Sequence, residues 1–279
     1  MSKFTRALCR LPFVPESKPT VALVRLEGVI ASGARPGRGL SAEGVDKALR
    51  KAFASDPEAV VIAVNSPGGA PAQSRMIHDR IRGLAAKHEV PVIAYAEDVA
   101  ASGGYMIALA GDEIHADPFG IIGSVGVIAA SFGFQDAIGK LGIERRVHTA
   151  GENKSQLDPF RPEDPEDVAR LEELLTKTHV LFRAMVKDRR ADKLASDDLL
   201  DGRYWLAGDA VAHGLIDGVG DLRTILKGRF GDDVRVKPYE AKAGGLVSRL
   251  LQSRAGGPLD AEAVLGAIDA RGLWGRFGL

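Results

Sequence analysis

The feature that most constrains the fold of this chain is an alternation of short apolar segments with helical patterns. The segments TVALVRLEGVI, AVVIAVN and PVIAYAE are rich in β-branched residues, which is typical of buried strands. Between them, apolar residues recur at helical spacing from Ser41 to about Ala54 and over 72–88. Strands separated by helices predict an α/β fold with a parallel sheet and crossover helices.

The alternation continues downstream and is followed by one long helix. SGGYMIALA and a segment near 134–141 are predicted helices, while DEIHA, GSVGVIAAS and ERRVHTA are predicted strands. A single amphipathic helix is predicted over 162–190, and the C-terminal residues, with two AGG triplets, are predicted as a looser appendage. We therefore expect a lead over 1–19, a main domain over 20–225 and an extension over 226–279.

Composition and charge argue against several classes of function. Lysine plus arginine equals aspartate plus glutamate at 37 each, which predicts no nucleic-acid partner. The single cysteine excludes an internal disulfide framework and favours the cytoplasm. No run of about 18 apolar residues occurs, so we expect no membrane-spanning helix.

The N-terminal stretch MSKFTRALCRLPFVP leaves two readings open. It has a basic start, but no small-residue cleavage site follows, which argues against a secretory signal. It fits a short amphipathic segment that lies on the inner membrane surface or covers a neighbouring subunit. It fits a frayed terminus equally well.

Three glycine–serine clusters follow predicted strands: NSPGG at 65–69, ASGGY at 101–105 and GSVGV at 123–127. In open α/β sheets, sites form in the crevice outside the carboxyl ends of the strands. A fourth element, GENKSQLDPF at 151–160, places a lysine before the long helix. Each serine alone is also explained as a helix cap or turn former, but four such elements in order favour a site.

Ser102 is the candidate nucleophile of this site. At the first turn of a predicted helix, unpaired N–H groups and the helix dipole favour negative charge. Gly103 and Gly104 carry no β-carbon, so we expect them to leave space for the substrate. The PGG turn at 67–69 is expected to present a further N–H to the oxyanion of the acyl group.

The residues themselves leave the general base open between His115, His148 and Lys154. Both histidines lie in predicted strands, where a packed core histidine is the commoner outcome. Lys154 would need its pKa lowered from about 10.4 to about 7–8 by burial in an apolar pocket. Three pKa units correspond to about 4 kcal/mol, which the fold must supply.

Other side chains near Lys154 in the sequence affect whether its amine can be neutral. Glu152 and Asp158 would oppose a neutral amine, so we expect both to point away from it. Ser124 or Ser155 is expected to hold the amine through its hydroxyl. The six histidines are scattered without metal-ligand spacing, which predicts no metal site.

The ordered motifs VNSPGG, ASGGYMIA, IIGSVGV, GENKSQLDPF and DGRYWLAGDAVAHGLID resemble the signal peptide peptidase A family of serine peptidases, which includes SohB-like members. The likeness covers roughly residues 20–225. It implies an α/β fold of repeated ββα units of the Clp protease/crotonase type, with a single catalytic unit in each chain. Members commonly begin with a membrane anchor, and none is visible here.

The resemblance also implies a mechanism and partners. Ser102 corresponds to the nucleophile of a serine–lysine dyad, Lys154 to its general base and Ser124 to the serine that bonds the lysine. The oxyanion hole corresponds to backbone N–H groups of Gly68 or Gly69 together with Ser102 or Gly103. The implied substrates are hydrophobic peptides, such as signal-peptide remnants or unfolded segments. No metal or other cofactor is implied, and short members resemble those that assemble into homo-oligomeric rings or domes.

Two other functions remain open at this point. A crotonase-like acyl-CoA lyase or hydratase shares the fold and would need a carboxylate pair, for which Glu97 and Asp98 are the candidates. A membrane-associated scaffold without turnover would keep the fold but has no need of an intact dyad.

Overall fold

The computed structural model describes residues 18–34, 39–240 and 270–279 of the chain. The chain divides into two compact units, one formed by residues 1–125 with 185–279 and the other by residues 126–184. The predicted lead, apart from its last two residues, and most of the predicted appendage lie outside the described residues.

Eight strands of the first unit form one sheet within the described residues. The hydrogen-bonded order is β6-β5-β3-β2-β1-β8, and β4 pairs with β3 and β7. The pairings are parallel except β5 with β6, which confirms the predicted parallel sheet. The strands are β1 (Thr20–Glu27), β2 (Ala59–Ser66), β3 (Val92–Ala101), β4 (Glu113–Ala116), β5 (Ile121–Gly123), β6 (Tyr204–Leu206), β7 (Gly218–Val219) and β8 (Arg235–Pro238).

Helices connect these strands as the alternation predicted. The described α-helices with named bounds are α1 (Ala42–Phe53), α2 (Pro71–His88), α3 (Gly103–Ala108), α4 (Gln135–Lys140), α5 (Pro165–Arg190), α6 (Ala207–Ala212) and α7 (Leu222–Phe230), with a 3-10 turn at Asp197–Leu199. Ser41 caps α1 by accepting the N–H of Gly44, which confirms the predicted start of that helix.

The core explains why the apolar segments form strands. Strand β2 lies between β1 and β3 and is buried almost throughout, as expected for a β-branched run at the centre of a parallel sheet. Leu226 of α7 packs on one face of the sheet against side chains of β1, β2 and β3. Helix α2 contacts α1 and α3, while α1 contacts β1, and α3 contacts β2 and β3.

Two predicted strands are wrong. GSVGVIAAS was expected as a strand, but β5 ends at Gly123 and residues 124–134 form neither helix nor strand. ERRVHTA, at 144–150, likewise has no strand geometry. Its residues are almost all exposed, and an extended segment becomes a strand only where a neighbour satisfies its backbone groups.

The predicted boundary at residue 225 falls inside α7, and the chain then returns to the sheet. Strand β8 pairs with β1 in parallel. At the C-terminus, Phe277 packs against Val99 and Ala101 of β3. Among the described residues, no helix combines the length and the apolar character needed to cross a membrane.

Candidate active site

Ser102 lies at the junction of β3 and α3. Strand β3 continues to Ala101, beyond the predicted end at Glu97, and so leads directly into Ser102. The Ser102 N–H donates to the carbonyl oxygen of Gly123 over 2.8 Å, and the Ser102 carbonyl accepts the N–H of Met106 over 3.0 Å. These bonds fix the backbone of Ser102 between the sheet and the helix.

The backbone of Ser102 adopts a conformation that residues with a β-carbon rarely take. Its φ is 50° and its ψ is −120°. Strained backbones of this kind cluster at functional sites, where the surrounding structure must hold them. The hydroxyl makes no capping hydrogen bond to α3, so a helix cap does not explain this serine.

A glycine turn after β2 lies against Ser102. Gly68 has a φ of 106°, and a β-carbon at this position would be 2.9 Å from both Ser102 Cβ and the Gly103 nitrogen. Only glycine permits this approach. The turn therefore lies next to the candidate nucleophile, where an oxyanion hole requires it.

The N–H groups of this turn differ in their bonding. The Gly68 N–H donates to Ser66 Oγ over 3.2 Å. Among the hydrogen bonds of the described residues, none uses the N–H of Gly69 or Gly103. Unpaired N–H groups near a nucleophile can stabilise a developing negative charge.

The space beside Gly103 and Gly104 is not open to substrate, contrary to our expectation. A β-carbon on Gly103 would lie 2.3 Å from Ser74 Oγ, and one on Gly104 would lie 2.4 Å from the carbonyl oxygen of Ser66. These glycines therefore allow α3 to pack closely on β2 and α2.

Ser124 follows β5 directly and is 4% exposed. Its φ is 53°, and its N–H donates to the carbonyl oxygen of Arg203 over 2.7 Å. The preceding residue, Gly123, accepts the Ser102 N–H, so the backbones of the two serines are coupled through one residue. The Trp205 ring lies against Gly123, where a β-carbon would be 2.9 Å from two ring atoms.

Lys154 belongs to the second unit, where it lies in an irregular turn and is exposed. Its N–H donates to the carbonyl oxygen of Gly151 over 3.3 Å. Its own unit does not supply the burial that a neutral amine requires. The carboxylate of Asp158 accepts a hydrogen bond from Arg145 over 3.1 Å, and Glu152 is exposed. The Phe160 N–H, with Arg145, lowers the pKa of Asp158.

The two histidines considered as bases have different surroundings. His115 lies on β4, and its Nε2 is 3.3 Å from a carboxylate oxygen of Glu113. His148 is exposed in the segment where the predicted strand is absent. Within the described part of the chain, no group of three or more His, Cys, Asp or Glu side chains could hold a metal ion.

The carboxylates considered for an acyl-CoA enzyme are bound by side chains of other strands of the sheet. Arg25 forms an ion pair of 2.8 Å with Glu97. Asn65 donates to Asp98 over 2.6 Å. Both side chains therefore have a structural explanation in the sheet.

Sequence reasoning missed two residues that contact the neighbours of Ser102: Ser66 bonds Gly68, and Trp205 lies against Gly123. Ser66 stands inside the quoted NSPGG motif but was treated as part of a turn, whereas it ends β2 and is fully buried. Trp205 stands inside DGRYWLAGD, and nothing in its spacing indicated contact with Gly123. A serine directly before a glycine turn was the one available signal.

The fold matches that of a solved protease. A mutant of the 1510-N membrane-bound stomatin-specific protease, in complex with a substrate peptide, aligns with 85% of this chain and 98% of its own chain, at a TM-score of 0.50 and 20% identity. The chain thus has the predicted fold of the Clp protease/crotonase type, with Ser102 and the glycine turn at the carboxyl ends of its parallel strands.

This chain belongs to Peptidase family S49, whose family model matches residues 85–229. It is 33% identical over 211 residues to the chloroplastic serine protease SPPA of Arabidopsis thaliana, covering 72% of this chain and 31% of that protein. It is 33% identical over 209 residues to Protease 4 of Haemophilus influenzae, covering 72% and 33%. The predicted resemblance to the signal peptide peptidase A family is confirmed.

A higher identity joins the chain to part of a longer protein. Over 271 residues it is 47% identical to a Brucella abortus protein named Na(+)/H(+) antiporter NhaA, covering 93% of this chain and 37% of that protein. The chain therefore spans about a third of the length of these curated relatives.

Proposed function

We propose that this chain is a serine endopeptidase in which Ser102 is the nucleophile and Lys154 the general base. The observation that carries the proposal is the backbone of Ser102, held at positive φ between a strand and a helix and against the glycine turn. A serine in that position gains nothing as a helix cap, so a chemical role explains why the strain is kept. Membership of Peptidase family S49 supports the same reading.

The proposed reaction proceeds through an acyl-enzyme. Ser102 Oγ attacks the scissile carbonyl carbon while neutral Lys154 accepts the hydroxyl proton. The C–N bond breaks, and the Lys154 ammonium returns the proton to the leaving amine. A water molecule then attacks the ester carbonyl carbon and gives a proton to Lys154. As the C–O bond to Ser102 breaks and the carboxylic acid leaves, the Lys154 ammonium returns that proton to Ser102 Oγ.

We propose that the N–H groups of Gly69 and Gly103 hold the oxyanion in both steps, with Gly68 contributing its close contact to Ser102. Removing one oxyanion donor typically costs 10²–10³ in kcat, on the order of 3–4 kcal/mol. Ser124 directly follows Gly123, whose carbonyl oxygen accepts the Ser102 N–H. Its hydroxyl would bond the Lys154 amine and orient it.

Lys154 is not buried by its own unit, so the proposal requires that it become covered in the active enzyme. Bound peptide or a second subunit would exclude water from the amine and disfavour its charged form. The proposed substrates are hydrophobic peptides, such as signal-peptide remnants or unfolded segments. We place the enzyme in the cytoplasm or at the inner membrane surface, as a homo-oligomer.

The test combines a serine-reactive probe with variants of both dyad residues. Wild-type protein should react with a fluorophosphonate, and Ser102→Ala should lose the labelling and at least about 10³-fold of the peptidase activity. Lys154→Ala and Lys154→Arg should both lose activity, because arginine keeps the charge but does not give up its proton. Lys140→Ala, on α4 of the same unit, is the matched control and should retain activity.

Two outcomes would contradict the proposal. Labelling that persists in Ser102→Ala would show that another residue reacts with the probe. Near-normal activity of Lys154→Arg would remove Lys154 as the base. Mass spectrometry of products from a mixed peptide library, with Ser102→Ala beside it, would identify the preferred peptides.

A further inference from the structure

Ser66, the last residue of β2, has a fully buried side chain whose hydroxyl makes two hydrogen bonds. Its Oγ donates to the carbonyl oxygen of Gly28 over 2.7 Å and accepts the N–H of Gly68 over 3.2 Å. Both partners are backbone groups of loops, so these bonds fix loops rather than the strand itself.

The glycine turn after β2 is joined to the loop after β1 by backbone bonds as well. The Ile30 N–H donates to the carbonyl oxygen of Gly68 over 2.9 Å, and the Ala70 N–H donates to the carbonyl oxygen of Ile30 over 2.8 Å. The Ser66 hydroxyl adds a side-chain link between the same two loops. Ser66 is therefore a position at which a substitution can loosen the turn without replacing a glycine.

Movement of this turn would alter its contact with Ser102. A β-carbon on Gly68 would lie 2.9 Å from Ser102 Cβ, so the turn and the serine are already in close contact. Oxyanion stabilisation requires donors within about 2.7–3.1 Å of the developing charge. Loss of the hydrogen bond from the Gly68 N–H to Ser66 Oγ would change the distance between the N–H donors of the turn and the oxyanion.

We infer that Ser66 is a positioning residue for the oxyanion hole: its hydroxyl ties Gly68 to Gly28 and so holds the glycine turn in register with Ser102. This role rests on the proposed peptidase function. Ser66 itself does not contact substrate. It acts through the backbone of Gly68 and Gly69.

The test is Ser66→Ala, with kcat and KM measured separately on a reporter peptide. We expect kcat to fall about 10–100-fold with KM changed less than about twofold, because the turn stabilises the transition state more than the bound peptide. The rate of fluorophosphonate labelling should fall with kcat. Ser66→Cys keeps a side chain of similar size with a weak hydrogen-bonding group. Its kcat should lie between those of the wild-type protein and Ser66→Ala.

Ser41→Ala is a closely matched control. Ser41 is 5% exposed, and its hydroxyl also donates to a carbonyl, that of Ala34, and accepts an N–H, that of Gly44. Both alanine variants should therefore lose a similar amount of thermal stability. Only Ser66→Ala should lose kcat.

The outcomes separate the inference from the function on which it rests. If wild-type protein hydrolyses peptides and Ser66→Ala keeps or raises kcat while its melting temperature falls as in Ser41→Ala, the positioning role is overturned and the peptidase stands. If wild-type protein neither reacts with the probe nor differs from Ser102→Ala, the peptidase proposal fails and takes the role of Ser66 with it.

Discussion

At the residue scale, the candidate nucleophile and several of its neighbours have positive φ angles. Ser102 and Ser124 adopt positive φ although they carry a β-carbon, which makes this conformation strained. Gly68, Gly69 and Gly123 adopt positive φ without strain, because glycine has no β-carbon. Each strained residue with a β-carbon costs on the order of 1–3 kcal/mol, which the surrounding contacts must offset. The glycines next to these serines supply the close contacts that hold them.

Gly103 allows a sharp test of that close packing. Gly103→Ala would place a methyl group 2.3 Å from Ser74 Oγ, so we expect a loss of about 1–3 kcal/mol in the free energy of unfolding. The double variant Gly103→Ala/Ser74→Ala removes the clashing oxygen and should recover part of that loss. Urea denaturation of the two single variants and the double variant measures the coupling. Strictly additive losses would mean that the clash lies elsewhere.

At the element scale, α3, which begins directly after Ser102, is fixed at its other end by arginines. Arg189 of α5 donates to the carbonyl oxygens of Leu109 and Gly111 over 2.9 and 2.8 Å. Arg82 of α2 donates to the carbonyl oxygen of Ala110 over 3.0 Å. Cations at the C-terminal end of a helix bind its unpaired carbonyls and complement its dipole, so these contacts stabilise α3.

The end of α5 is also anchored through Asp217. Its carboxylate accepts hydrogen bonds from Arg190 over 2.9 Å, Lys193 over 2.6 Å and the Ile114 N–H over 2.8 Å. Burial opposes the charge of Asp217, but these donors outweigh it and lower the pKa to about 2. The anchor therefore joins α5 to β4 through a carboxylate that stays ionised in mildly acidic solution.

This anchor predicts a dependence of stability on pH. Because the folded pKa of Asp217 lies below its unfolded value of about 3.9, its contribution is complete above pH 4 and is lost as the pH falls through about 2. Asp217→Asn should lose about 3 kcal/mol of unfolding free energy at pH 7, since it leaves the buried Arg190 without its counter-charge. The deficit should shrink toward pH 2 in urea titrations.

Asp46→Asn is the control for this prediction, because its ion pairs with Arg50 and Arg80 are both partly exposed. It should cost less than about 1 kcal/mol. An equal loss in the two variants would show that Asp217 contributes no more than a surface charge.

At the scale of the whole molecule, the unit formed by residues 126–184 has an unusual surface. Its large apolar side chains are mostly exposed. They include Ile128, Phe132, Phe134, Leu141, Ile143, Leu157, Leu174, Val180 and Leu181. Such a concentration is typical of an interaction surface, and it supports the proposed homo-oligomer, in which covered apolar residues and a covered Lys154 would arise together.

The oligomer is tested on α5, where Leu174 and Leu181 lie two turns apart and are 60% and 70% exposed. Light scattering of the wild-type chain should give a multiple of 29.6 kDa. Leu174→Glu/Leu181→Glu should lower that mass, because charged groups at an apolar interface lose their hydration on assembly. Met76→Glu, on α2 of the other unit, should leave the mass unchanged. A wild-type monomer at all concentrations would contradict the prediction.

The sequence by itself determined the alternation of strands and helices, and with it the parallel sheet, because β-branched runs and helical spacing are local properties. It also determined Ser102 and the glycine turn as candidates, since both follow directly on strands. It placed two strands wrongly, at 124–131 and 144–150, because strand formation depends on a neighbour that a local pattern does not contain.

The tertiary structure alone decided which groups meet around Ser102. Ser66 and Trp205 come from distant parts of the sequence, and Gly103 packs against Ser74 instead of opening space for substrate. The backbone strain at Ser102 likewise follows from bonds to Gly123 and Met106 that no sequence pattern specifies. The physical reason is that hydrogen bonds and close packing depend on distances between chain segments, which only the folded sheet brings together.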